Sequence, residues 1–285
     1  MGAARTVDLG RGVRAGRGER LLVIAGPCVL EDPEEMMGVA RTMAALCADL
    51  DVGYVFKASF LKDNRTRGDS PRGPGLEEGV ALLKAIADEV ECPVLTDVHT
   101  VEEIEALAAA GIDVLQIPAF LSRQSRLLES AGASGCVVNV KKGQFLAPED
   151  LEHVVGKLNS TGGERILLTE RGTTFGYHDL VVDFRGFAFA RDLGWPWIFD
   201  VTHSLQRPSG QGGKSGGTPS LAPMMARAAV AAGVDGLFLE VHPEPSRALS
   251  DASTQLPLGT VESWLPLAVR LHAEVAAARD AEASA

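Results

Sequence analysis

The sequence has few cysteines, and their spacing excludes a disulfide framework. Its four cysteines, Cys28, Cys47, Cys92 and Cys136, form no CxxC pair in the 285-residue chain. Such usage is typical of a protein kept in a reducing compartment. The chain also lacks an apolar run of about 18 residues and an apolar core near its N-terminus, so it predicts neither a membrane span nor an export signal. We therefore expect a soluble cytoplasmic protein.

Positive charge is also scarce. The chain has 27 Lys and Arg against 38 Asp and Glu, which gives a formal net charge of -11 and a pI near 5.1. Nucleic acids and anionic membranes need a basic surface, so neither is expected as the main partner. An anionic small molecule stays possible if the basic residues are concentrated in one pocket.

Two glycine-rich stretches lack the context of the nucleotide motifs that they resemble. GRGVRA at 10–15 follows no strand, and GGKSGG at 212–217 has Pro208 where a phosphate loop needs its first glycine. The first 20 residues combine glycines with Arg5, Arg11, Arg14, Arg17 and Arg20 and have little apolar content. We predict a mobile Arg/Gly-rich tail over 1–20 and one catalytic domain over 21–285.

What the sequence does contain is eight short apolar runs rich in β-branched and aromatic residues. They do not alternate with polar residues, as expected of parallel strands buried on both faces. The runs are LLVIAGPC (21–28), VGYVFKAS (52–59), PVLTDVH (93–99), VLQIPA (114–119), VVNVKK (137–142), RILLTER (165–171), WIFDVTH (197–203) and GLFLEVH (236–242). Stretches with helical spacing lie between most of them, for example 76–90 and 101–110, the latter closing at Gly111. The pattern predicts a (β/α)8 TIM barrel, with an open, doubly wound sheet as the alternative.

Each run ends in residues capable of chemistry. In a barrel, the carboxyl ends of the strands and the loops after them converge on one rim, where active sites lie. We therefore expect the following residues to face that rim: Cys28, Lys57, Asp97, Gln116, Lys142, Arg171, His203 and Glu240.

One group of these residues offers metal ligands. Cys28, His203, Glu240 and Asp251 supply a thiol, an imidazole and two carboxylates from strands 1, 7 and 8 and the loop after strand 8. Strands 8 and 1 are neighbours in a closed barrel, so the four can meet. The mixed S, N and O set suits Zn, Fe, Co or Mn better than Ca or Mg. The spacing leaves a structural alternative open. In it Cys28 only packs in the core, His203 is hydrogen-bonded at the top of the barrel, and the two acids are solvated.

A second group is cationic and predicts a site for phosphate or carboxylate groups. Its members are Lys57, Lys62, Arg65, Arg123, Lys141, Lys142 and Arg171. Some of them could instead be structural partners of Asp97, Glu170 and Asp200. A lysine at a strand end also allows Schiff-base chemistry with Lys142 as the nucleophile. Lys141 and Lys142 are adjacent, so strand alternation should send only one of them into the site.

Long stretches of the chain resemble one family, the 3-deoxy-D-manno-octulosonate 8-phosphate synthases. The likeness runs from about residue 21 to about 260 and rests on IAGPC, FKASFLKDNR, TDVH, LQIPAFLSRQ, NVKKGQF, TERGTTFGYHDLVVDFR, FDVTHS, KSGG and EVHPEPSRALSDASTQLPL. It implies a homotetrameric (β/α)8 barrel, a transferase of lipopolysaccharide sugar synthesis. Such an enzyme condenses phosphoenolpyruvate with arabinose 5-phosphate and releases inorganic phosphate.

The resemblance also assigns roles by motif. A cysteine after the first strand, rather than an asparagine, marks the metal-dependent members, so Cys28, His203, Glu240 and Asp251 would bind the ion. In the reaction, either Asp251 or a metal-bound hydroxide could then take up protons. The residues around phosphoenolpyruvate would be Lys57, Lys62, Gln116, Phe120, Lys142 and Arg171. Asp97 would lie near the reacting carbons. Asn64, Arg65 and Thr66 would bind the pentose phosphate, and Arg123 would reach it across a subunit interface.

One departure concerns the acceptor sugar. After Asn64-Arg65 the family usually continues Ser-Ser or Thr-Ser, whereas this chain reads Thr66-Arg67-Gly68-Asp69. A relative of arabinose 5-phosphate therefore stays possible as acceptor. The sister synthases that use erythrose 4-phosphate typically have Lys-Pro-Arg-Thr-Ser where this chain has KDNRT at 62–66. A non-catalytic anion-binding barrel would have no reason to assemble both groups on one rim.

Overall fold

The computed structural model describes residues 4–63, 71–211 and 214–284. The strands in chain order are β1 (Thr6–Gly10), β2 (Val13–Gly16), β3 (Leu22–Gly26), β4 (Gly53–Lys57), β5 (Val94–Asp97), β6 (Val114–Ile117), β7 (Val137–Lys141), β8 (Ile166–Glu170), β9 (Thr173–Thr174), β10 (Leu180–Val181), β11 (Trp197–Asp200), β12 (Gln206–Gln211), β13 (Lys214–Gly217), β14 (Gly236–His242) and β15 (Leu256–Pro257). The helices are α1 (Pro33–Asp49), α2 (Leu76–Glu89), α3 (Val101–Ala110), α4 (Ser125–Ala133), α5 (Leu151–Asn159), α6 (Gly186–Asp192), α7 (Ala222–Ala231) and α8 (Leu265–Ser284).

Eight parallel strands of the described chain close into a barrel. They pair in the order β3-β4-β5-β6-β7-β8-β11-β14, and β14 pairs back onto β3. The closing registers include Ile198 with Gly236 and Leu22 with Gly236. An open sheet would leave two unpaired edges, so this closure excludes the doubly wound alternative and confirms the predicted (β/α)8 barrel.

The strands form where the sequence concentrates apolar residues. Every residue of the eight barrel strands is buried, because side chains on one face fill the barrel and those on the other pack under the helices. Each strand lies within one of the eight predicted apolar runs. The prediction therefore located all eight strands of the barrel.

Helices follow most of the strands, and local signals set their ends. Helix α3 begins where the Thr100 hydroxyl accepts a hydrogen bond from the Glu103 amide, and it ends at Gly111, whose φ is 79°. A left-handed residue costs little when it is glycine, so the helix stops there. The observed bounds of α2 and α3 match the predicted stretches to within one residue at each end.

The structure of the N-terminal segment differs from the predicted tail over residues 1–20. Residues 4–20 are not a mobile tail, since β1 and β2 form an antiparallel hairpin that buries Val7, Leu9 and Ala15 in the barrel core. The Arg5 amide donates to the Gly194 carbonyl, and the Arg5 guanidinium lies over the Trp195 ring. A hairpin needs only a few inward apolar residues to cover a barrel end, so the low overall apolar content was misleading.

The C-terminal part of the chain completes the rim. Strand β15 pairs with β14 after a loop at 243–255, and the loop brings Asp251 back over the barrel. Helix α8 then packs beside α7. Among the helices of the described residues, none combines the length and apolar character needed to cross a membrane.

Candidate active site

Three predicted metal ligands meet at the rim. One ligand atom each from Cys28, Glu240 and Asp251 lie within 4.8 Å of one another, and Cys28 Sγ is 3.2 Å from Asp251 Oδ2. Cys28 follows the end of β3, Glu240 lies in β14, and Asp251 lies in the loop after β14. Asp251 has a φ of 50°, a left-handed conformation that is uncommon for residues other than glycine. The adjacency of the first and last barrel strands thus joins residues more than 200 positions apart.

The fourth predicted ligand, His203, faces the same cluster. It begins a 3-10 turn after β11, and its Nδ1 lies 2.8 Å from Asp200 Oδ2. A carboxylate only accepts hydrogen bonds, so Nδ1 bears the proton. Nε2 points to Glu240 Oε2 at 3.5 Å and Asp251 Oδ2 at 3.8 Å. A carboxylate that orients the far nitrogen of a histidine is the usual second partner of a metal-binding imidazole.

The chemistry of these side chains fits a divalent ion. Among the described residues, Glu240 Oε2 is buried without a hydrogen-bond partner, and buried polar atoms are nearly always satisfied. Burial alone would lower the pKa of His203, but Asp200 and Glu240 outweigh it and raise that pKa to about 9. Burial and the charges of Asp251 and Glu240 raise the pKa of Cys28 well above its usual value. The cluster concentrates negative charge that a cation would neutralise.

Lys57 and Lys62 lie beside this cluster. Lys57 Nζ donates to Glu240 Oε1 at 2.5 Å and to the Cys28 carbonyl at 2.9 Å, and both side chains of the pair are buried. Lys62 Nζ lies 3.4 Å from Asp97 Oδ2. Burial would raise the pKa of Asp97, yet Lys62 and Lys57 outweigh it and hold the pKa far below its usual range. Asp97 is therefore ionised at the rim.

The adjacent lysines Lys141 and Lys142 point in different directions, and both are buried. Lys141 pairs with Asp200 and lies over the Phe238 ring. Burial lowers the pKa of Lys141 to about 8, although Asp200 opposes this shift. Lys142 Nζ lies 3.1 Å from the Thr173 hydroxyl and 3.5 Å from Glu170 Oε1. Asp97, Glu170 and Asp200 therefore each have a lysine partner, as the structural alternative anticipated.

Arg171 is a buried cation whose charge is incompletely paired. Its Nη2 donates to Gln206 Oε1 at 3.1 Å, while Nη1 has no hydrogen-bond partner among the described residues. Burial lowers its pKa. Gln206 Nε2 in turn donates to Asp251 Oδ1 at 3.3 Å, so one amide links the guanidinium to the candidate metal ligands. An anion at the rim would satisfy the unpartnered nitrogen.

A chain of hydrogen bonds crosses strands β5 to β8 below the rim. Gln116 Nε2 donates to Asp97 Oδ1 at 2.6 Å, Asn139 Nδ2 donates to Gln116 Oε1 at 2.8 Å, and the Thr169 hydroxyl donates to Asn139 Oδ1 at 2.7 Å. All four side chains are buried. Asp97 is ionised and can only accept hydrogen bonds. The side-chain amides of Gln116 and Asn139 must therefore each point their NH2 group towards Asp97 and their oxygen away from it. We call these four residues the amide relay.

The structure does not test the roles of the remaining predicted residues. Phe120 lies in the 3-10 turn Ala119–Leu121 and is 59% exposed. Arg123 is also exposed, and its carbonyl accepts from Lys157 Nζ at 3.3 Å. Asn64, Arg65 and Thr66 lie outside the described residues. The roles assigned to all five therefore stay predictions.

Several site residues were missed by sequence reasoning. Asn139 and Thr169 are polar residues inside the apolar runs VVNVKK and RILLTER. A polar residue within a buried strand indicates a buried hydrogen bond, so the sequence could have identified both. Ser59 donates to Asp97, and Cys28 Sγ lies 3.1 Å from Ser250 Oγ. Serines are too common at strand ends and loops for sequence alone to single these two out.

Comparison with known proteins agrees with the geometry. The profile of the DAHP synthetase I family matches residues 4–276. A protein of Desulfatibacillum aliphaticivorans named 2-dehydro-3-deoxyphosphooctonate aldolase is 53% identical over 267 residues, which cover 93% of this chain and 97% of that protein. Proteins with the same name from Syntrophotalea carbinolica (52% identical, 89% of this chain and 91% of the relative) and Granulibacter bethesdensis (48% identical, 93% of each) are also similar. The chain belongs to the DAHP synthetase I family, and its nearly full-length similarity to proteins named 2-dehydro-3-deoxyphosphooctonate aldolase confirms the resemblance drawn from its sequence motifs.

Proposed function

We propose that the protein condenses phosphoenolpyruvate with arabinose 5-phosphate and water to give 3-deoxy-D-manno-octulosonate 8-phosphate and inorganic phosphate. The observation that carries the proposal is that the buried Arg171 guanidinium lies at the same rim as a cluster of ionisable side chains, and that its Nη1 has no hydrogen-bond partner in the described part of the chain. The relatives at 46–53% identity named 2-dehydro-3-deoxyphosphooctonate aldolase support the same reaction.

The basic residues of the rim would hold the two anionic substrates. Lys57, Lys62, Lys142 and Arg171 would surround phosphoenolpyruvate, with Gln116 and Phe120 lining its pocket. Asn64, Arg65 and Thr66 would bind the sugar phosphate. Orienting two bound reactants contributes on the order of 7 kcal/mol or more in favourable cases. We propose that this orientation is the main task of the cations.

Arg123 would complete the site from a neighbouring subunit. Its exposed position on the loop before α4 leaves it free to reach another copy of the chain. The site would then be complete only in the oligomer, which we propose to be a homotetramer. Sedimentation of wild-type protein tests the assembly directly, and a monomer with full activity would contradict it.

The ligands of a divalent ion would be Cys28, His203, Glu240 and Asp251. Zinc, iron, manganese or cobalt suits this S, N and O set. Bound there, such an ion supplies Lewis acidity towards the aldehyde oxygen. The fit rests on the unpartnered Glu240 Oε2 and on the approach of His203 Nε2 to both carboxylates.

In the proposed reaction, carbon 3 of phosphoenolpyruvate attacks the aldehyde carbon, and water adds to carbon 2. The resulting hemiketal phosphate expels inorganic phosphate and leaves the keto sugar acid. Asp97, which lies beside Lys62, would be near the reacting carbons. Asp251 would take up the proton released by water, since its side chain is 20% exposed at the cluster. His203 Nδ1 is occupied by Asp200, so that nitrogen is not a free base.

A panel of acceptors tests the reaction. Purified protein is incubated with phosphoenolpyruvate and each of erythrose 4-phosphate, arabinose 5-phosphate and a six-carbon aldose phosphate, and phosphate release is measured. We expect the largest kcat/KM with arabinose 5-phosphate. Preference for erythrose 4-phosphate would assign the sister reaction. Borohydride trapping of a substrate on a lysine would instead indicate a Schiff-base aldolase with Lys142 as nucleophile.

Metal removal tests the ion. Chelator treatment of the full chain should abolish phosphate release, and added Zn, Fe, Mn or Co should restore it, because the proposed reaction would depend on the Lewis acidity of the bound ion. The matched control is Cys28→Ala, in which added metal should restore much less activity. Full activity after thorough removal of metal would contradict the assignment.

A further inference from the structure

A second cluster of ionisable side chains lies close in sequence to the candidate metal ligands. Single ligand atoms of Glu31, Glu35 and His242 lie within 4.8 Å of one another. His242 is only 1% exposed, and among the described residues its Nε2 has no hydrogen-bond partner. An unsatisfied buried nitrogen beside two carboxylates calls for an explanation.

The hydrogen bonds of His242 decide what this cluster can bind. The Glu244 amide donates to His242 Nδ1 at 3.0 Å, so Nδ1 uses its lone pair as an acceptor and the ring proton lies on Nε2. A metal ion needs a lone pair on Nε2, and metal-bound histidines donate from their other nitrogen. The geometry therefore makes His242 Nε2 a hydrogen-bond donor, and its nearest ionic partner is Glu31 Oε2 at 3.7 Å.

Glu31 also holds the loop that follows β14. Its Oε1 accepts a hydrogen bond from the Leu249 amide at 3.0 Å. Glu31 is therefore hydrogen-bonded to the loop after β14, and its other carboxylate oxygen faces His242 Nε2 at the end of β14 across 3.7 Å. No hydrogen bond within the described chain joins the Glu35 carboxylate to that loop.

The residues that make these contacts lie close in sequence to the candidate metal ligands. Glu31 lies three residues after Cys28, His242 two residues after Glu240, and Leu249 two residues before Asp251. Each ligand-bearing segment is thus held a few residues from its ligand. Because the segments are otherwise distant in sequence, their relative placement depends on such links.

We propose that Glu31 and His242 form a clasp that positions Cys28, Glu240 and Asp251 for one ion. The two are positioning residues, and this inference rests on the proposed metal binding. Loss of supporting contacts around a metal site typically costs 10–100-fold in affinity. Glu31→Ala should raise the Kd for Co²⁺ by on the order of tenfold or more for that reason.

The experiment is a Co²⁺ titration of full-length, metal-free protein. Absorption from sulfur-to-cobalt charge transfer reports ligation by Cys28, and its saturation gives Kd and stoichiometry. Glu31→Ala and His242→Ala are the test variants, and Glu35→Ala is the matched control from the same cluster. Glu31→Gln retains an acceptor for the Leu249 amide, so it should restore part of the affinity.

Thermal unfolding of each variant separates positioning from loss of the fold. Weaker Co²⁺ binding in folded Glu31→Ala and His242→Ala, with a normal Kd in Glu35→Ala, supports the clasp. If Glu31→Ala does not fold, His242→Ala and Glu31→Gln decide by the same Kd comparison. An unchanged Kd in the folded test variants overturns the clasp and leaves the proposed function standing.

Two further outcomes overturn the clasp. Two cobalt ions per wild-type chain, one of them lost in Glu35→Ala, would show that the second cluster is itself a cation site. Absence of the charge-transfer band in the wild type would refute metal binding by Cys28 and the clasp together. Activity of that same preparation with arabinose 5-phosphate then shows whether the proposed condensation survives.

Discussion

At the scale of single residues, Arg171 shows a charged side chain that is buried although its hydrogen bonds are incomplete. Its guanidinium is buried, and its one side-chain hydrogen bond in the described chain goes to the neutral amide of Gln206. Burying a charge without full pairing is costly. A bound phosphate or carboxylate would offset this cost by pairing with Nη1, in keeping with the proposed role of Arg171 in binding phosphoenolpyruvate.

Replacing Arg171 by lysine tests this role. Arg171→Lys keeps the positive charge but loses the planar donor pair that matches phosphate and carboxylate. We expect the KM for phosphoenolpyruvate to rise on the order of tenfold or more. Steady-state kinetics with phosphoenolpyruvate varied provides the measurement. The exposed change Arg126→Lys serves as control, and equal KM values for both variants would contradict the role.

The amide relay is a second feature argued from residues. Asn139→Leu has similar volume but leaves the Thr169 hydroxyl and Gln116 Oε1 without partners. Each buried orphan costs about 1–3 kcal/mol, so the free energy of unfolding should fall by a few kcal/mol. Urea denaturation measures the loss.

A matched second variant checks the cause of that loss. Adding Thr169→Val to Asn139→Leu removes the orphan hydroxyl and should recover part of the stability. The KM for phosphoenolpyruvate should stay raised in both variants, because the Gln116 amide is no longer oriented. Strict additivity of the two stability changes would show that the residues do not act as a relay.

At the scale of elements, the N-terminal hairpin is part of the barrel. Strands β1 and β2 bury apolar side chains against the core, and the β2 region contacts β4. Helices α2 and α3 were predictable because their apolar spacing and end signals are local. The hairpin was not, since its inward face consists of a few apolar residues, Val7, Leu9, Val13 and Ala15, whose burial depends on the barrel that they cover.

Leu9→Ala tests whether the hairpin stabilises the fold. Leu9 is 1% exposed, and removing a buried leucine side chain to alanine costs about 2–5 kcal/mol. We expect a loss of that size in the free energy of unfolding, measured by urea denaturation. The exposed neighbour Thr6 provides the control variant Thr6→Ala. If both variants unfold like the wild type, the hairpin contributes nothing and a tail is the better description.

At the scale of the whole molecule, the end of the barrel opposite the candidate active site joins strands that are distant in sequence. Asp235 is at the end away from the rim, where its carboxylate accepts from the Trp197 amide at 2.7 Å. Its backbone also bonds to Leu22 and Trp197, so one residue joins β3, β11 and β14. Burial raises the pKa of Asp235 to about 6, although Trp197 and Arg279 oppose the shift.

That pKa predicts a pH dependence of stability. The folded state binds a proton more tightly than the unfolded state, whose pKa is near 3.8, so the favourable contribution is complete below about pH 4. It is lost as the pH rises to about 6, and amounts to about 3 kcal/mol at most.

The variant Asp235→Asn isolates this contribution. Asparagine keeps an acceptor for the Trp197 amide and does not titrate. The stability of the wild type relative to this variant should therefore fall between pH 4 and pH 6 and stay level above that range. Urea midpoints at several pH values measure the difference, and a constant difference would contradict the assignment.

Much of the site followed from the sequence because barrel topology is regular. Residues at the ends of apolar runs had to share a rim once eight strands were recognised. Cys28, Glu240 and Asp251 did meet there. What could not be predicted was the pairing among neighbours, such as Lys141 with Asp200 and Lys57 with Glu240. Such pairs depend on rotamers and distances between strands that leave no pattern along the chain.

The amino-acid sequence by itself determined the strands, the barrel and the set of chemical groups at its rim, because hydrophobic period and strand ends are local properties. Tertiary structure alone decided which groups are satisfied and which are not. Within the described residues, Arg171 Nη1 and His242 Nε2 have no hydrogen-bond partner, because distant segments pack there at fixed separations. The burial of the hairpin has the same origin, since a few apolar side chains are enough only where a barrel end is there to receive them.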